Sequence, residues 1–229
     1  MMTEVSSRPM EVREWSPYVS NGGTVLALAG KDFAIIAGDT RLSEGYSIHT
    51  RECPRVKQLT PQVCIATAGM QGDAIALHKR LEWRSKSFLF EHGSPMSVVA
   101  VARLLSYMLY QKRFFPYYTW NLVAGIDDEG KGAVFTYDPV GNIERVPFSC
   151  SGSAEPLIQP LVDSQIGGTN QTMPTRFLIE NLTIEDGISF VRDAFTSAGE
   201  RDIYTGDAVD IFVITQDGVQ TEHFLLKKD

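Results

Sequence analysis

Few residues in this chain have the type and spacing that chemistry requires. The four histidines, His49, His78, His92 and His223, are scattered. None stands in a metal-ligand spacing such as H-E-x-x-H, so they read as neither ligands nor bases. His78 lies beside Lys79 and Arg80 and is expected on the polar face of a helix. Cys53, Cys64 and Cys150 are too few and too far apart for a disulfide framework or a zinc cluster. A nucleophilic cysteine needs a depressed pKa and a base within reach. Nothing local to Cys64 or Cys150 supplies either, and both read as structural. The glycine-rich pieces Ser20-Asn21-Gly22-Gly23 and Ser151-Gly152-Ser153 match no phosphate-cradling pattern, and nucleotide binding is not expected. Arg41, Arg51, Arg55 and Lys57 form a modest basic cluster whose plain reading is a solvated loop. Asp39-Thr40-Arg41 stands out more, because it directly follows an apolar run. An Asp and an Arg at the end of a buried strand are costly unless paired. A strand-end ion pair is the simplest reading, and a function would need another partner nearby.

The elements that must position these residues follow from pattern. Thr24 to Ala29 and Phe33 to Gly38 are strand-like, joined by Gly30-Lys31-Asp32, a connection short enough for a hairpin. Both runs are almost wholly apolar, whereas strands covered on one face alternate. They should therefore be buried on both faces. Val63 to Gly69 is a third such strand, and residues 39–62 are turn-rich with strand pieces. Met70, Ala74, Leu77 and Leu81 then fall on one face of a helix. A second helix is expected from Ser94-Pro95, with Ser as N-cap. Strands follow at Thr119–Ile126, Ala133–Tyr137 and near Val146–Ser149, with a hairpin loop at Asp127–Gly132. A helix is expected over about Ala154–Asp163, and residues 164–180, with Gly167-Gly168 and Pro174, read as a loop. The clearest helix begins at Thr183, where Asp186 makes an approximate capping box. Val209–Thr215 and Val219–Leu226 are the last strands. The aromatic segment Phe114–Trp120 reads equally as core or as subunit contact.

Composition narrows the class. The chain has 229 residues, 43% apolar and 21% charged, enough for one substantial core without disulfides. Its 21 Lys+Arg against 28 Asp+Glu leave a net charge of −7, which argues against a general polyanion binder. Mean hydropathy is −0.09 and no uncharged apolar run approaches the roughly twenty residues of a membrane span. The first twenty residues carry Glu4, Arg8, Glu11, Arg13 and Glu14, so no secretory signal is expected. There is no composition break in residues 22–229. Strands, two helices, strands, two helices, strands suggest an α+β domain with two stacked sheets between helices.

Certain segments carry a resemblance. Gly22-Gly23-Thr24-Val25-Leu26-Ala27, Ile36-Ala37-Gly38-Asp39-Thr40-Arg41, Ser151-Gly152-Ser153 and Arg201-Asp202-Ile203-Tyr204-Thr205-Gly206-Asp207 together resemble the β subunits of the proteasome. The resemblance extends over residues 15–229. Ser16–Thr24, Arg41–Thr50, Lys112–Tyr118 and Glu129–Gly141 narrow it to one ring position of the eukaryotic particle, the one between β5- and β7-type subunits. It implies the N-terminal-nucleophile hydrolase fold, a four-layer αββα sandwich, with residues 1–22 as an arm and 23–229 as one domain. It implies partners among other proteasome α and β subunits: the ring neighbours, the α ring and the opposite β ring, twenty-eight chains in four stacked seven-membered rings. It implies a role in intracellular, ubiquitin-dependent protein degradation in cytoplasm and nucleus, with no cofactor, metal, nucleic acid or membrane.

Catalytic members of the family expose a threonine at a new N-terminus. Its hydroxyl attacks the peptide carbonyl, its free amine serves as base, and a lysine supported by an aspartate tunes the proton transfer. The family spacing puts the aspartate sixteen residues after the nucleophile and the lysine thirty-two after it. Counting from Asp39 lands on Gly23, which has no hydroxyl, and puts Arg55 at the lysine position. An arginine stays protonated and cannot readily share a proton. The rival register, with Thr24 as nucleophile, places Thr40 and Val56 at the two positions, and a one-residue slip turns a strand side chain to the other face. The expectation is a non-catalytic subunit, with no catalytic residues and no self-cleavage at Gly22–Gly23; the alternative is a threonine protease using Thr24. Asp39, Arg41, Ser151, Asp202 and Thr205 read as retained scaffold. Asp127, in the hairpin loop, reads either as a solvated turn residue or as a residue reaching a neighbour's substrate pocket.

Overall fold

The computed structural model describes residues 15–168 and 179–228. Residues 1–14 of the expected arm, residues 169–178 of the expected loop and Asp229 lie outside the described residues. The chain opens with β1 (Thr24–Ala29) and β2 (Ala34–Asp39), then a short hairpin of β3 (Leu42–Glu44) and β4 (Ser47–Thr50). β5 (Val56–Thr60) and β6 (Val63–Gly69) lead into α1 (Gln71–His92) and α2 (Val98–Tyr110). β7 (Thr119–Ile126), β8 (Gly132–Tyr137), β9 (Ile143–Val146) and β10 (Phe148–Gly152) follow, then α3 (Glu155–Val162), which continues into a π-helical turn. α4 (Ile184–Gly199), β11 (Ala208–Thr215) and β12 (Gly218–Leu225) complete the chain.

Two five-stranded sheets form, ordered β10-β1-β2-β11-β12 and β5-β6-β7-β8-β9, with antiparallel pairing between neighbours. Three apolar layers hold them in an αββα sandwich. In β1, Leu26 and Leu28 face α3 and α4, meeting residues such as Ile158, Phe190 and Phe195. The alternate residues Val25 and Ala27 face the other sheet, against Ala66, Leu122 and Ala124. On the far side, Ile65 and Val123 pack under Leu77, Leu81, Leu105 and Leu109 of α1 and α2. This is why the first strands are apolar at every position: each face has its own layer to enter.

The boundaries differ from the sequence reading where local chemistry decides. The cap of α2 lies three residues later than Ser94: Ser97 takes it, and its Oγ accepts from Ala100 N–H at 3.4 Å. α1 runs on from Leu81 to His92 and ends at Gly93, in the left-handed conformation. The Thr183 cap forms as expected: Oγ1 accepts from Asp186 N–H at 3.1 Å and donates to Asp186 Oδ2 at 2.7 Å. β9 was hidden by its exposed Glu144 and Arg145. His78 is not on a polar face. Its Nε2 lies 2.6 Å from Thr67 Oγ1, whose proton goes to Asn121 Oδ1 at 2.8 Å. The ring nitrogen is therefore the donor. Burial first, then Lys57, lowers the His78 pKa from 6.5 to about 4.

Candidate functional site

The front edge of the first sheet is built around a residue without a side chain. Gly23 has φ +86°, a region that a residue with a Cβ rarely occupies. A Cβ at this position would fall inside the Arg55 guanidinium. Arg55 precedes β5 and is 2% exposed; Asp39, at the end of β2, is fully buried. Arg55 Nε donates to Asp39 Oδ1 at 2.9 Å and Nη2 donates to the Arg41 carbonyl. Asp39 also accepts the Thr24 N–H at 2.8 Å and the Arg41 and Gly206 N–H groups at 3.3 Å. Burial holds the Asp39 carboxyl above its usual range, and Arg55 and the Thr24 and Gly206 N–H groups offset this only in part. Arg55 lies on the Val25 side of β1, where a Cβ on Gly38 would meet both residues, and it reaches Asp39 at the end of β2.

Thr24 faces the other way, onto the helix layer with Leu26. Its hydroxyl lies 2.7 Å from Thr205 Oγ1 and accepts the Ala154 N–H at 3.0 Å, at the start of α3. Asp202 Oδ2 accepts from Ser153 Oγ and from Thr205 Oγ1, each at 2.6 Å. A carboxylate with both hydroxyl protons directed at it leaves one arrangement: Thr24 donates its own proton to Thr205 Oγ1. Thr24 is fully buried. Its proton and a lone pair are both engaged, and its nitrogen is a peptide amide donating to Asp39. Beside this edge lies a cleft of about 260 Å³ that includes Gly23, Gly69, Trp120, Ser153 and Glu155. A cavity of about 750 Å³ lies elsewhere, beside Lys31, Lys131 and Arg145, and holds none of these groups.

Arg41 closes the edge. It donates from Nε to Asp207 Oδ2 at 2.8 Å and from Nη2 to Asp207 Oδ1 at 3.3 Å, and Arg51 bonds the same carboxylate. Burial raises the Asp207 carboxyl, but the two arginines outweigh it and hold it below its usual range. Asp39 and Arg41 sit in buried ion pairs, as the strand-end reading expects, but with Arg55 and Asp207 and not with each other. Of the basic cluster expected to be solvated, Arg41 and Arg55 are buried and only Arg51 and Lys57 are partly exposed.

A match to the family described as "Proteasome subunit" covers residues 19–214. The chain belongs to the proteasome subunit family. Among its relatives are the Dictyostelium discoideum protein named proteasome subunit beta type-1, 52% identical over 97% of this chain and 94% of the relative. The Danio rerio protein of that name is 45% identical over 96% and 92%. The Saccharomyces cerevisiae protein named proteasome subunit beta type-6 is 41% identical over 99% and 96%.

In this proteasome subunit the remaining site candidates separate. Asp39, Asp202 and Thr205 meet around Gly23 and Thr24, and Arg41 adjoins them. Ser151 stands opposite Val25 on β10 and its side chain joins neither cluster. Asp127 lies at the other end of the sandwich. Its carboxylate accepts the Glu129 and Lys131 N–H groups at 3.0 and 2.9 Å and Arg145 Nη2 at 2.7 Å. Burial raises the Asp127 carboxyl, but these donors hold it below its usual range. Ser153 and Asp207 were not assigned roles from sequence. The signal was there for Asp207, because two buried arginines require two buried acids. The cysteines are buried and reduced, and burial raises Cys64 to about 12 and pushes Cys150 up as well. In the aromatic segment, Tyr117 is core, whereas Phe114 and Phe115 are exposed. Among the described residues no cluster has the makings of a metal site, and no helix is long and apolar enough to cross a membrane.

Proposed function

We propose that this chain is a non-catalytic β subunit of the 20S proteasome, which builds the wall of the proteolytic chamber and performs no peptide cleavage itself. One observation carries the reading: the space a side chain at position 23 would need is filled by the guanidinium of Arg55. The position that would hold the nucleophile offers no oxygen, and the position that would hold a lysine offers a cation that does not give up its proton. Thr24 is no substitute. It lies on the opposite face of β1, fully buried, with its hydroxyl engaged by Thr205 and Ala154.

The names of the relatives support a β-type subunit. The resemblance of the sequence segments carries the finer part of the proposal, a place between β5- and β7-type neighbours and in contact with the α ring and the opposite β ring. The same reading puts the chain in cytoplasm and nucleus. The test uses the assembled particle, treated with an electrophilic threonine-directed probe, followed by intact mass and N-terminal sequencing of this chain. The expected result is no adduct and no N-terminus at Gly23 or Thr24. An adduct on a chain beginning at Thr24 would overturn the proposal in favour of a threonine protease.

Asp127 belongs to the same reading. Its three internal donors make it the organiser of the β7–β8 turn, so any influence on a neighbour's pocket acts through the shape of that turn. Asp127→Ala should release Arg145 and alter peptide cleavage at the adjacent β5-type site. Unchanged peptide kinetics in the assembled particle would remove this role.

A further inference from the structure

The first sheet ends in a strand that nothing among the described residues covers. β12 is eight residues long and pairs with β11 without a register break, from Ala208↔Leu225 to Thr215↔Gly218. Leu226 N–H donates to the Asp207 carbonyl at 3.0 Å. In an antiparallel ladder, residues whose backbone groups point at the partner alternate with residues whose groups point away. With residue 226 pointing inward, 224, 222, 220 and 218 do so too. Val219, Thr221, His223 and Leu225 therefore present both N–H and C=O outward. No hydrogen bond from another described residue meets these groups.

Protein sheets blunt such edges with short strands, lysine, proline or bulges. The other three edges here use such devices. β9 has four residues, β5 carries a register shift between Gln58 and Thr60, and the Cys150 N–H of β10 is capped by Gln159 Oε1 at 2.9 Å. β12 has none: it contains no lysine, no proline and no bulge. A cavity of about 360 Å³ opens beside His223 and Leu225, on the face of the sheet that these two residues share. An edge of unpaired backbone next to a side-chain pocket is the arrangement that takes up an added strand.

We infer that β12 is a docking edge for an extended segment of a different polypeptide in the assembled ring, which adds a sixth strand to the first sheet. A second copy of this chain fits poorly. The only antiparallel self-pairing that uses all four outward residues of both copies sets 219 against 225 and 221 against 223. That register places Glu222, with its partner Arg192 at 2.7 Å, directly opposite the same pair of the other copy, in the closer-spaced, non-hydrogen-bonded type of pair, so that each charge meets its like. The partner segment accordingly carries an uncharged or basic residue opposite Glu222. It has no proline at the positions facing Val219, Thr221, His223 and Leu225, and it turns a side chain into the cavity beside His223. This assignment rests on the reading of the chain as a ring subunit.

The test compares backbone amide exchange, residue by residue, in the full chain alone and in the particle assembled with it. In the free chain, amides 219, 221, 223 and 225 should exchange fast and 220, 222, 224 and 226 slowly. In the particle the outward four should slow by at least about 100-fold, the scale of protection a formed ladder gives. Thr221→Pro provides the second arm. It deletes only an outward N–H and leaves every bond to β11, so the fold should persist. Its incorporation into the particle should fall at least about tenfold relative to wild type, while Thr221→Val incorporates normally, because docking is through the backbone. A chain that enters the ring with fast outward amides, or a Thr221→Pro chain that incorporates like wild type, overturns the edge proposal alone. Concentration-dependent dimers abolished by Thr221→Pro overturn the choice of partner. A chain that never enters the ring overturns this proposal and the subunit reading together.

Discussion

Two polar clusters lie back to back across the first residues of β1, and they differ in kind. The one between the sheets is ionic: Asp39 and Arg55, packed against a residue with no side chain. The one under α3 is made of hydroxyls: Thr24, Ser153 and Thr205 around Asp202. The first has no room for a side chain on Gly23; the second has a complete set of groups but every proton assigned. The difference shows that a site can be inert for two unrelated reasons. One side lacks the reacting group because its space is occupied. The other has hydroxyls in abundance and no free one. Lack of chemistry therefore does not imply decay of structure, since both clusters are hydrogen-bonded throughout, the ionic one buried and the hydroxyl one with Ser153 and Asp202 half-buried.

The comparison is broken most directly at Arg55. Arg55→Ala leaves the Asp39 carboxylate buried with no cation, a loss expected to cost about 3–5 kcal/mol. Chemical denaturation of the chain would measure it. A cost below about 1 kcal/mol, the worth of an exposed pair, would show that water reaches Asp39 and that the ionic cluster is not closed. Gly23→Thr approaches the same contact from the other side. It combines a Cβ at positive φ with a collision against the guanidinium, and about 2–4 kcal/mol is expected. Adding Arg55→Lys should recover about 1–3 kcal/mol of that, because the two positions share one volume and their effects are coupled. Strict additivity would show that the glycine is held by backbone geometry alone.

A pH measurement sharpens the comparison, because neither cluster contains a histidine. The half-buried His78 on α1 is hydrogen-bonded into a buried pair, Thr67 and Asn121. The folded-state pKa of His78 is about 4 against an ordinary 6.5. Between those values the unfolded chain binds the proton and the folded chain does not. Stability is therefore full above pH 6.5 and falls as the pH drops toward 4. The loss is at most about 3 kcal/mol, at 1.36 kcal/mol per pKa unit, and smaller to the extent that solvent reaches the ring. His78→Gln should flatten the slope in denaturation series across that window. A slope that survives the substitution would place the acid sensitivity on groups other than His78, the depressed Asp127 and Glu82 carboxylates among them.

Much of this was legible in the sequence, and for identifiable reasons. The apolar strands Thr24–Ala29 and Val63–Gly69 could only be buried on both faces, which already implied a covered pair of sheets. Gly23 and Arg55 were found by counting along the chain, since a shared register fixes position whatever the side chain. The partners were harder to read. Arg41 and Arg55 looked like a solvated loop because local sequence does not show Asp207, 166 residues away along the chain from Arg41. His78 was misplaced because its charged neighbours, Lys79 and Arg80, suggested a polar face, while the Thr67 hydroxyl that receives its proton belongs to another element. Ser153 was passed over for Ser151 although both stand in one short motif. Ser151 lies on β10, whereas Ser153 lies just past its end, after Gly152 at φ +114°, so it is the turn leaving the strand that carries Ser153 to Asp202.

The smallest expected effect tests the hydroxyl side. Thr24→Val keeps the shape of the side chain and removes its oxygen. The Ala154 N–H then loses its acceptor at a fully buried position, and Thr205 Oγ1 loses a donor while still bonded to Asp202. One unsatisfied donor should dominate, and about 1–2 kcal/mol of stability should be lost. Thr205→Val should cost a similar amount, and the double variant less than the sum, because the two hydroxyls share one bond. Peptide cleavage by the assembled particle should not change in either variant, since neither oxygen attacks anything. If Thr24→Val instead removes one of the particle's cleavage activities while stability holds, the hydroxyl cluster is a working site, and the contrast with the ionic cluster becomes one between an active and an inactive face of the same strand.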